Sequence, residues 1–378
     1  MRLALVKLGA RVAINSTSTS GGTGEALSLI KILVRGNNEV SVFTHILDKD
    51  ESPEDFDIYE IEDKFEDIPN MGFDALVVVN GNVNFFGGAE DRSQILNYHI
   101  INHFPGKVFY FHCDADILLN QIWSLVEQKE WGSKYRREDI EITRDDIIYI
   151  SQVRDFLPIL SKAQKKIPLQ KKNIHHFPFE KFPILNIDSR LPDLSSITSD
   201  LMYGGTFRGG KRQDDMIKFY WGYPEDISVK MFGKIKASNF NSSKIKDLSA
   251  PEFEKSVPYN QYHEKMMTSL STIIIGDPAY KKTSNLAQRI YESILVGNIT
   301  FIDKSYDHRR QVYSDPELVN FLYVRTREQV IDRIRKLKED NTMILDIAKR
   351  QQENTRVDIE QYCSSLNILM ESLYEVKD

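Results

Sequence analysis

Cysteine is nearly absent. Two residues in 378, Cys113 and Cys363, exclude a disulfide framework and a cysteine-based zinc site. Long apolar runs are missing too, since none approaches the roughly 18 residues that span a bilayer. The N-terminal run MRLALV is too short for a secretory signal core and reads as a first strand. Neither charge dominates: 49 Lys and Arg against 55 Asp and Glu leave a net charge of −6. That excludes a chain that grips nucleic acid over its whole surface, although a local basic face fits within it. The eight histidines show no metal-ligand spacing, and no Walker, G-x-S-x-G or zinc signature occurs. What is present is the balance of a globular protein, 41% hydrophobic and 28% charged, with length for two domains. A cytosolic two-domain protein is expected.

Strand-sized apolar runs at 2–8, 40–43, 75–79 and 108–111 alternate with helical spacing at 25–33 and 93–103. Such alternation predicts a parallel, doubly wound α/β sheet. Short strands are expected at 147–151 and 174–177, and the Pro-, Asp- and Ser-bearing stretch 178–199 reads as a linker. A second series follows, with strands at 201–203, 227–232, 272–275, 300–302 and 322–324. Its helices are expected at 213–220, 262–269, 285–296 and 328–338, and 343–374 reads as helical throughout. The predicted architecture is GT-B: two Rossmann-like doubly wound domains facing a central cleft, with a C-terminal helix. Expected boundaries are 1–190 for an acceptor-binding domain and 191–355 for a UDP-sugar-binding domain. A C-terminal helix, 356–378, would pack back on the first. Transferases, epimerases and phosphorylases share this shape, so the fold assigns no function by itself.

Four segments carry candidate chemistry. In YGGTFRGGKR (203–212), four glycines and three cations lie between a predicted strand and a helix. Glycines admit close approach of an anion, a helix N-terminus attracts it, and Arg208 and Arg212 suit a diphosphate. On the predicted helix 285–296, Arg289 and Glu292 share one face at i and i+3. Arg289 can meet a phosphate there while Glu292 accepts from a ribose diol, with Phe232-Gly233 and Val257-Pro258 as walls for a base; a surface ion pair is the plainer reading. Asp114 and Asp116 follow the fourth strand, where a carboxylate serves as general base or as a helix cap, and Asp114-Ala115-Asp116 also fits a D-x-D pattern for a divalent metal. Asn80 to Gly88 sets Phe85 and Phe86 between glycines, where both rings are not expected in the core: one is exposed to stack on or wedge into nucleic acid, or the loop is simply anchored by one Phe in the core.

These segments, in this order, resemble the DNA β-glucosyltransferases of T-even-type bacteriophages. The best matches are VVNGNVNFFGG (78–88), YGGTFRGGKR (203–212), IIIGDPAY (273–280) and RIYESILVGNITFID (289–303). The resemblance implies an inverting transfer of glucose from UDP-glucose to 5-hydroxymethylcytosine in duplex DNA, with the target base flipped out. It implies Asp114 as catalytic base and Glu25 as a contact to the sugar. Thr206, Arg208, Arg212 and Arg289 would hold the diphosphate and its ribose, Glu292 the ribose hydroxyls, and Gly205, Phe232, Gly233 and Val257 the nucleotide pocket. Asp277 would lie near the sugar or a divalent Mg2+ or Mn2+ ion, and Asn84, Phe86 and Gly87 would face the DNA. The implied setting is a monomer in the cytoplasm of an infected bacterial host, modifying phage DNA to evade restriction and touching no membrane. Three features depart from the family. The chain is acidic, Asp116 stands where the family has Arg, and a Gly-rich loop (Ser20 to Gly24) precedes Glu25. They leave open another UDP-sugar such as a pentose, 5-hydroxymethyluracil as acceptor, or a non-DNA acceptor.

Overall fold

A computed structural model describes residues 1–7, 21–44, 56–79, 99–112, 143–151, 174–177, 187–207, 209–276, 280–281 and 286–375. The first unit, Met1–Phe179 with Asp358–Asp378, is built on seven parallel strands. They are β1 (Arg2–Lys7), β2 (Glu39–Thr44), β3 (Asp57–Glu60), β4 (Ala75–Val79), β5 (Lys107–His112), β6 (Ile148–Ser151) and β7 (Ile174–His176). Their order across the sheet is β3-β2-β1-β4-β5-β6-β7. The central strands are apolar along their whole length because both faces of a parallel sheet are covered. All five residues of β4 (ALVVV) are buried, and Leu3 to Val6 of β1 pair with them in register.

Helix α1 (Gly21–Arg35) crosses from β1 to β2 and ends on Gly36-Asn37, where Asn37 takes a left-handed φ of 62°. That conformation closes a helix C-terminus, and short polar Asn tolerates it. The buried Asn38 amide then donates to the carbonyls of Leu33 (2.9 Å) and Gly36 (3.4 Å), and to Oδ1 of Asn367 (2.9 Å). Asn367 belongs to the C-terminal helix α8 (Ile359–Glu375), whose Tyr362 ring also stands edge-on to Phe177 at 5.1 Å. One side chain thus ends α1 and fastens the last helix to it. Asn38→Ala is expected to cost about 1–3 kcal/mol by leaving buried carbonyls unpaired, read as a lower thermal midpoint.

The second unit, Glu180–Val357, repeats the plan with six parallel strands. These are β8 (Ser199–Gly204), β9 (Val229–Phe232), β10 (Glu252–Glu254), β11 (Ser269–Ile274), β12 (Ile299–Asp303) and β13 (Tyr323–Val324), in the order β10-β9-β8-β11-β12-β13. Helices α2 (Lys211–Tyr220), α3 (Tyr259–Met267), α4 (Arg289–Leu295), α5 (Pro316–Leu322), α6 (Arg327–Glu339) and α7 (Asn341–Thr355) accompany it. The core is aromatic, with Tyr220, Trp221, Tyr306 and Tyr313 fully buried. The tyrosine hydroxyls are used: that of Tyr220 donates to the Ile273 carbonyl (2.7 Å) and accepts from the Ile273 amide (3.0 Å).

Two expectations change. The helix expected over 343–374 is broken at Arg356, where ψ reaches 133°, and Asp358 caps the new start by accepting from the Gln361 amide at 3.0 Å. Two edge strands not expected from the sequence, β3 and β10, complete the sheets. Among the described residues, no helix is long and apolar enough to cross a membrane.

Candidate functional site

In an open parallel sheet, ligands bind beyond the carboxyl ends of the strands, where the strand order reverses. In the second unit that point lies between β8 and β11, and β8 ends on Gly204-Gly205. Bare backbone is required there. A Cβ at Gly204 would stand 2.6 Å from the Phe232 ring and 2.7 Å from Tyr262, and one at Gly205 2.5 Å from Nη1 of Arg289. Gly233 has a φ of +119°, and a Cβ there would lie 2.1 Å from the Gly205 carbonyl oxygen. The loops after β8 and β9 are joined by the Gly205 amide donating to Phe232 O (2.9 Å) and the Phe207 amide to Lys234 O (3.0 Å). Gly233→Ala is expected to cost about 1–3 kcal/mol through strain, whereas Gly209→Ala, with nothing within 4 Å of its Cβ, should leave the melting temperature unchanged.

Two guanidinium groups converge on one phenol beside this platform. Nη2 of Arg212, on α2, donates to the Tyr203 hydroxyl at 3.3 Å. Arg289, the first residue of α4, lies with its guanidinium carbon 5.9 Å from the Tyr203 ring centre and 5.8 Å from that of Tyr262. Burial would push the Tyr203 phenol up, but Arg212 and Arg289 together hold it below its ordinary value. Burial likewise works against the Arg289 charge, and Tyr262, Tyr203 and Glu292 more than offset it, so its pKa is raised. Yet Nε of Arg212, Nε of Arg289, the Tyr262 hydroxyl and Nε2 of His263 are all buried without a hydrogen-bond partner. An unpaired buried donor costs about 1–3 kcal/mol, so several around one phenol mark a place where a ligand rich in acceptor oxygens completes the structure.

Glu292 follows Arg289 by three residues on α4 and is buried. The Tyr259 hydroxyl donates to its Oε1 at 2.8 Å, and Nε2 of His263 stands 3.8 Å from the same oxygen. Burial would raise this carboxyl. His263, Tyr259 and Arg289 outweigh that and hold it below the usual carboxylate range. Ionised Glu292 is therefore an acceptor only, the complement of a pair of hydroxyls.

Of the residues singled out in the sequence, Gly205, Thr206, Arg212, Phe232, Gly233, Val257, Arg289 and Glu292 come together here. The Thr206 carbonyl accepts from Tyr203 at 3.4 Å, and Val257 packs with Phe232 and Tyr262. Arg208, Asp277, Asp114, Asn84, Phe86 and Gly87 lie outside the described residues, and of Glu25 only the backbone, within α1, is described. Tyr203, Tyr259, Tyr262 and His263 were not singled out. Three of them fall at i, i+3 and i+4 of α3 (YNQYHEKMM), a stripe the helical period exposes. Among the described residues, no group of three or more His, Cys, Asp or Glu side chains could hold a metal ion.

The family model for Bacteriophage T4 beta-glucosyltransferase matches residues 1–186. A DNA beta-glucosyltransferase of Enterobacteria phage T4 is 26% identical over 343 residues, which is 91% of this chain and 91% of that protein. Among solved structures, T4 phage BGT in complex with UDP and Mn2+ matches with a TM-score of 0.78 at 23% identity, covering 100% of both chains. T4 phage BGT in complex with UDP-glucose matches with a TM-score of 0.76 at 21% identity, again over 100% of both. The likeness in structure is one of fold, and the fold class is GT-B, as the alternation of elements predicts.

Proposed function

We propose that this protein, whose residues 1–186 match the family model for Bacteriophage T4 beta-glucosyltransferase, is a UDP-sugar-dependent DNA glycosyltransferase that moves glucose from UDP-glucose to DNA. The observation that carries the donor half is the pair of buried guanidiniums with unpaired Nε atoms, set against a glycine platform at the strand-order reversal. Arg212 and Arg289, with Arg208 and Thr206, hold the diphosphate. Glu292 accepts from the ribose hydroxyls, and Gly205, Phe232, Gly233 and Val257 enclose the nucleoside. Magnesium or manganese accompanies the donor, as manganese accompanies UDP in the related complex, with Asp277 as the candidate ligand. When bound, such an ion neutralises charge on the diphosphate.

The acceptor in this reading is 5-hydroxymethylcytosine, rotated out of the duplex because a stacked base cannot reach an enzyme's reacting groups. Asn84, Phe86 and Gly87 face the DNA, and Glu25 meets the sugar hydroxyls. Asp114 takes the proton of the hydroxymethyl group as its oxygen attacks the anomeric carbon from the face opposite UDP. The carbon–oxygen bond to UDP breaks, the configuration inverts, and the arginines stabilise the charge left on the departing diphosphate.

Nucleoside mass spectrometry tests the reading. The protein and magnesium are incubated with UDP-glucose or, in parallel, a UDP-pentose, and with duplexes bearing 5-hydroxymethylcytosine, 5-hydroxymethyluracil or unmodified cytosine. A hexose-sized gain on 5-hydroxymethylcytosine alone is expected. A gain on 5-hydroxymethyluracil, or with a UDP-pentose only, would replace the acceptor or donor, and no gain on any duplex while UDP still binds would overturn the DNA reading.

A further inference from the structure

All six strands of the second unit are parallel, so β12 and β13 end at the same edge of the sheet as the glycine platform. Asp303 of β12 pairs with Val324 of β13, so the next residues, Lys304 and Arg325, leave the sheet side by side. The Lys304 amide donates to Val324 O at 2.8 Å. The chain then turns back: the amides of Tyr306 and Asp307 donate to Asp303 O (2.8 and 3.3 Å), and that of Arg310 to Asp307 O (3.1 Å). Arg310 takes a left-handed φ of 55°. Arg325 and Arg310 crowd the Lys304 ammonium enough to pull its pKa below the usual lysine value.

The acids of this turn are committed inward. Asp303 accepts from the Ser305 amide (3.0 Å), the Ser305 hydroxyl (2.6 Å) and Nζ of Lys281 (3.2 Å). Asp307 accepts from the amides of Gln311 and Val312 (3.0 Å each) and from the Tyr323 hydroxyl. Both are buried, while Arg310 and Arg325 are exposed and Lys304 is half-buried. Among the described residues, Lys304, Arg310 and Arg325 have no ion-pair partner, and His308 and Arg309 are exposed in the same turn. In a chain of net charge −6 this is a concentration of positive charge, held together against its own repulsion.

We infer that Lys304, Arg310 and Arg325 form a contact for the phosphate backbone of duplex DNA. The inference rests on the reading of DNA as acceptor and adds a contact that no motif in the sequence announced. The donor diphosphate is a poorer occupant. β12 and β13 lie two and three strands from β8, roughly 10 and 14 Å across the sheet, whereas the buried guanidiniums of the nucleotide site stand beside β8 itself.

The test is the triple variant K304Q/R310Q/R325Q, with the charge-retaining K304R/R310K/R325K beside it. Fluorescence anisotropy with a hydroxymethylated duplex over a salt series reads affinity and salt slope, and calorimetry reads UDP affinity. The glutamine variant should bind duplex at least tenfold more weakly, with a log–log salt slope shallower by about 2–3, since each lost phosphate contact removes about 0.9. UDP affinity should be unchanged, the charge-retaining variant should bind duplex like the native chain, and removing mutually repelling charges should leave the melting curve unchanged or raise it. An unchanged affinity and slope in the glutamine variant would overturn the inference while leaving the acceptor reading intact, as would a parallel loss of UDP binding. A native protein that binds no duplex would overturn both.

Discussion

Asp114→Asn should lose sugar transfer by ~100-fold or more, the usual cost of a missing general base, while UDP binds with unchanged affinity. An alcohol is a poor nucleophile until its proton is being removed, so an acceptor hydroxyl needs a carboxylate at hand. Asparagine keeps the size and one acceptor oxygen of aspartate but cannot take a proton. Position supports the choice: β5 ends at His112, in the parallel sheet of the first unit, and Asp114 follows two residues later in the sequence, beyond the carboxyl end of a strand, where such sheets meet their substrates. The residues of the proposed nucleotide site all belong to the second unit, which is why donor affinity should be spared. Asp116→Asn separates the base from its neighbour. If single-turnover transfer survives in Asp114→Asn and falls in Asp116→Asn, the base is Asp116. If neither substitution slows it, the carboxylates of this segment serve as helix caps and the base lies elsewhere.

The parts of the fold legible in the sequence were those whose burial is complete. β4 (ALVVV) and β12 (ITFID) are buried at every position, and such runs stand out against any flanking loop. β3 (DIYE) and β10 (EFE) are short, polar and only partly buried at the sheet edges, so their composition resembles that of a turn; pairing with β2 and β9 makes them strands. The break at Arg356 carries a faint local signal, a single Asp358 in a stretch of helical spacing, although a separate C-terminal helix from 356 onward is expected from the sequence. At the site the same division holds. Glycines and arginines between a strand and a helix are informative in one dimension, because close approach and fixed charge have few other uses together. Tyr259, Tyr262 and His263 are not, because an aromatic stripe on a helix reads as core. What distinguishes them is Arg289 and Glu292, about 30 residues later in the chain, brought against them by the packing of α4 on α3. A buried Tyr262 hydroxyl and a His263 nitrogen without hydrogen-bond partners are three-dimensional facts.

Arg289→Met should weaken UDP binding by about 100-fold, or ~2.8 kcal/mol at 1.4 kcal/mol per tenfold. Methionine keeps much of the length and apolar bulk between the rings of Tyr203 and Tyr262, so what is removed is the charge and its donors. Hydrogen bonds to an ionised partner contribute about 1.5–3 kcal/mol each, and Arg212 remains to hold part of the diphosphate, which keeps the loss finite. The same substitution has a second readout that needs no ligand. Burial pushes the Tyr203 phenol up and the two guanidiniums pull it down, so losing Arg289 should raise its pKa, seen as ultraviolet phenolate absorbance appearing at higher pH. Arg212→Met should act in the same direction on both. The double variant should fall short of the sum, because the two groups share one phenol and one anion. A raised Tyr203 pKa with undiminished UDP affinity would mean that Arg289 neutralises the aromatic cluster and binds no donor. A loss of affinity in step with the shift would tie the buried charge to the phosphate it was placed to meet.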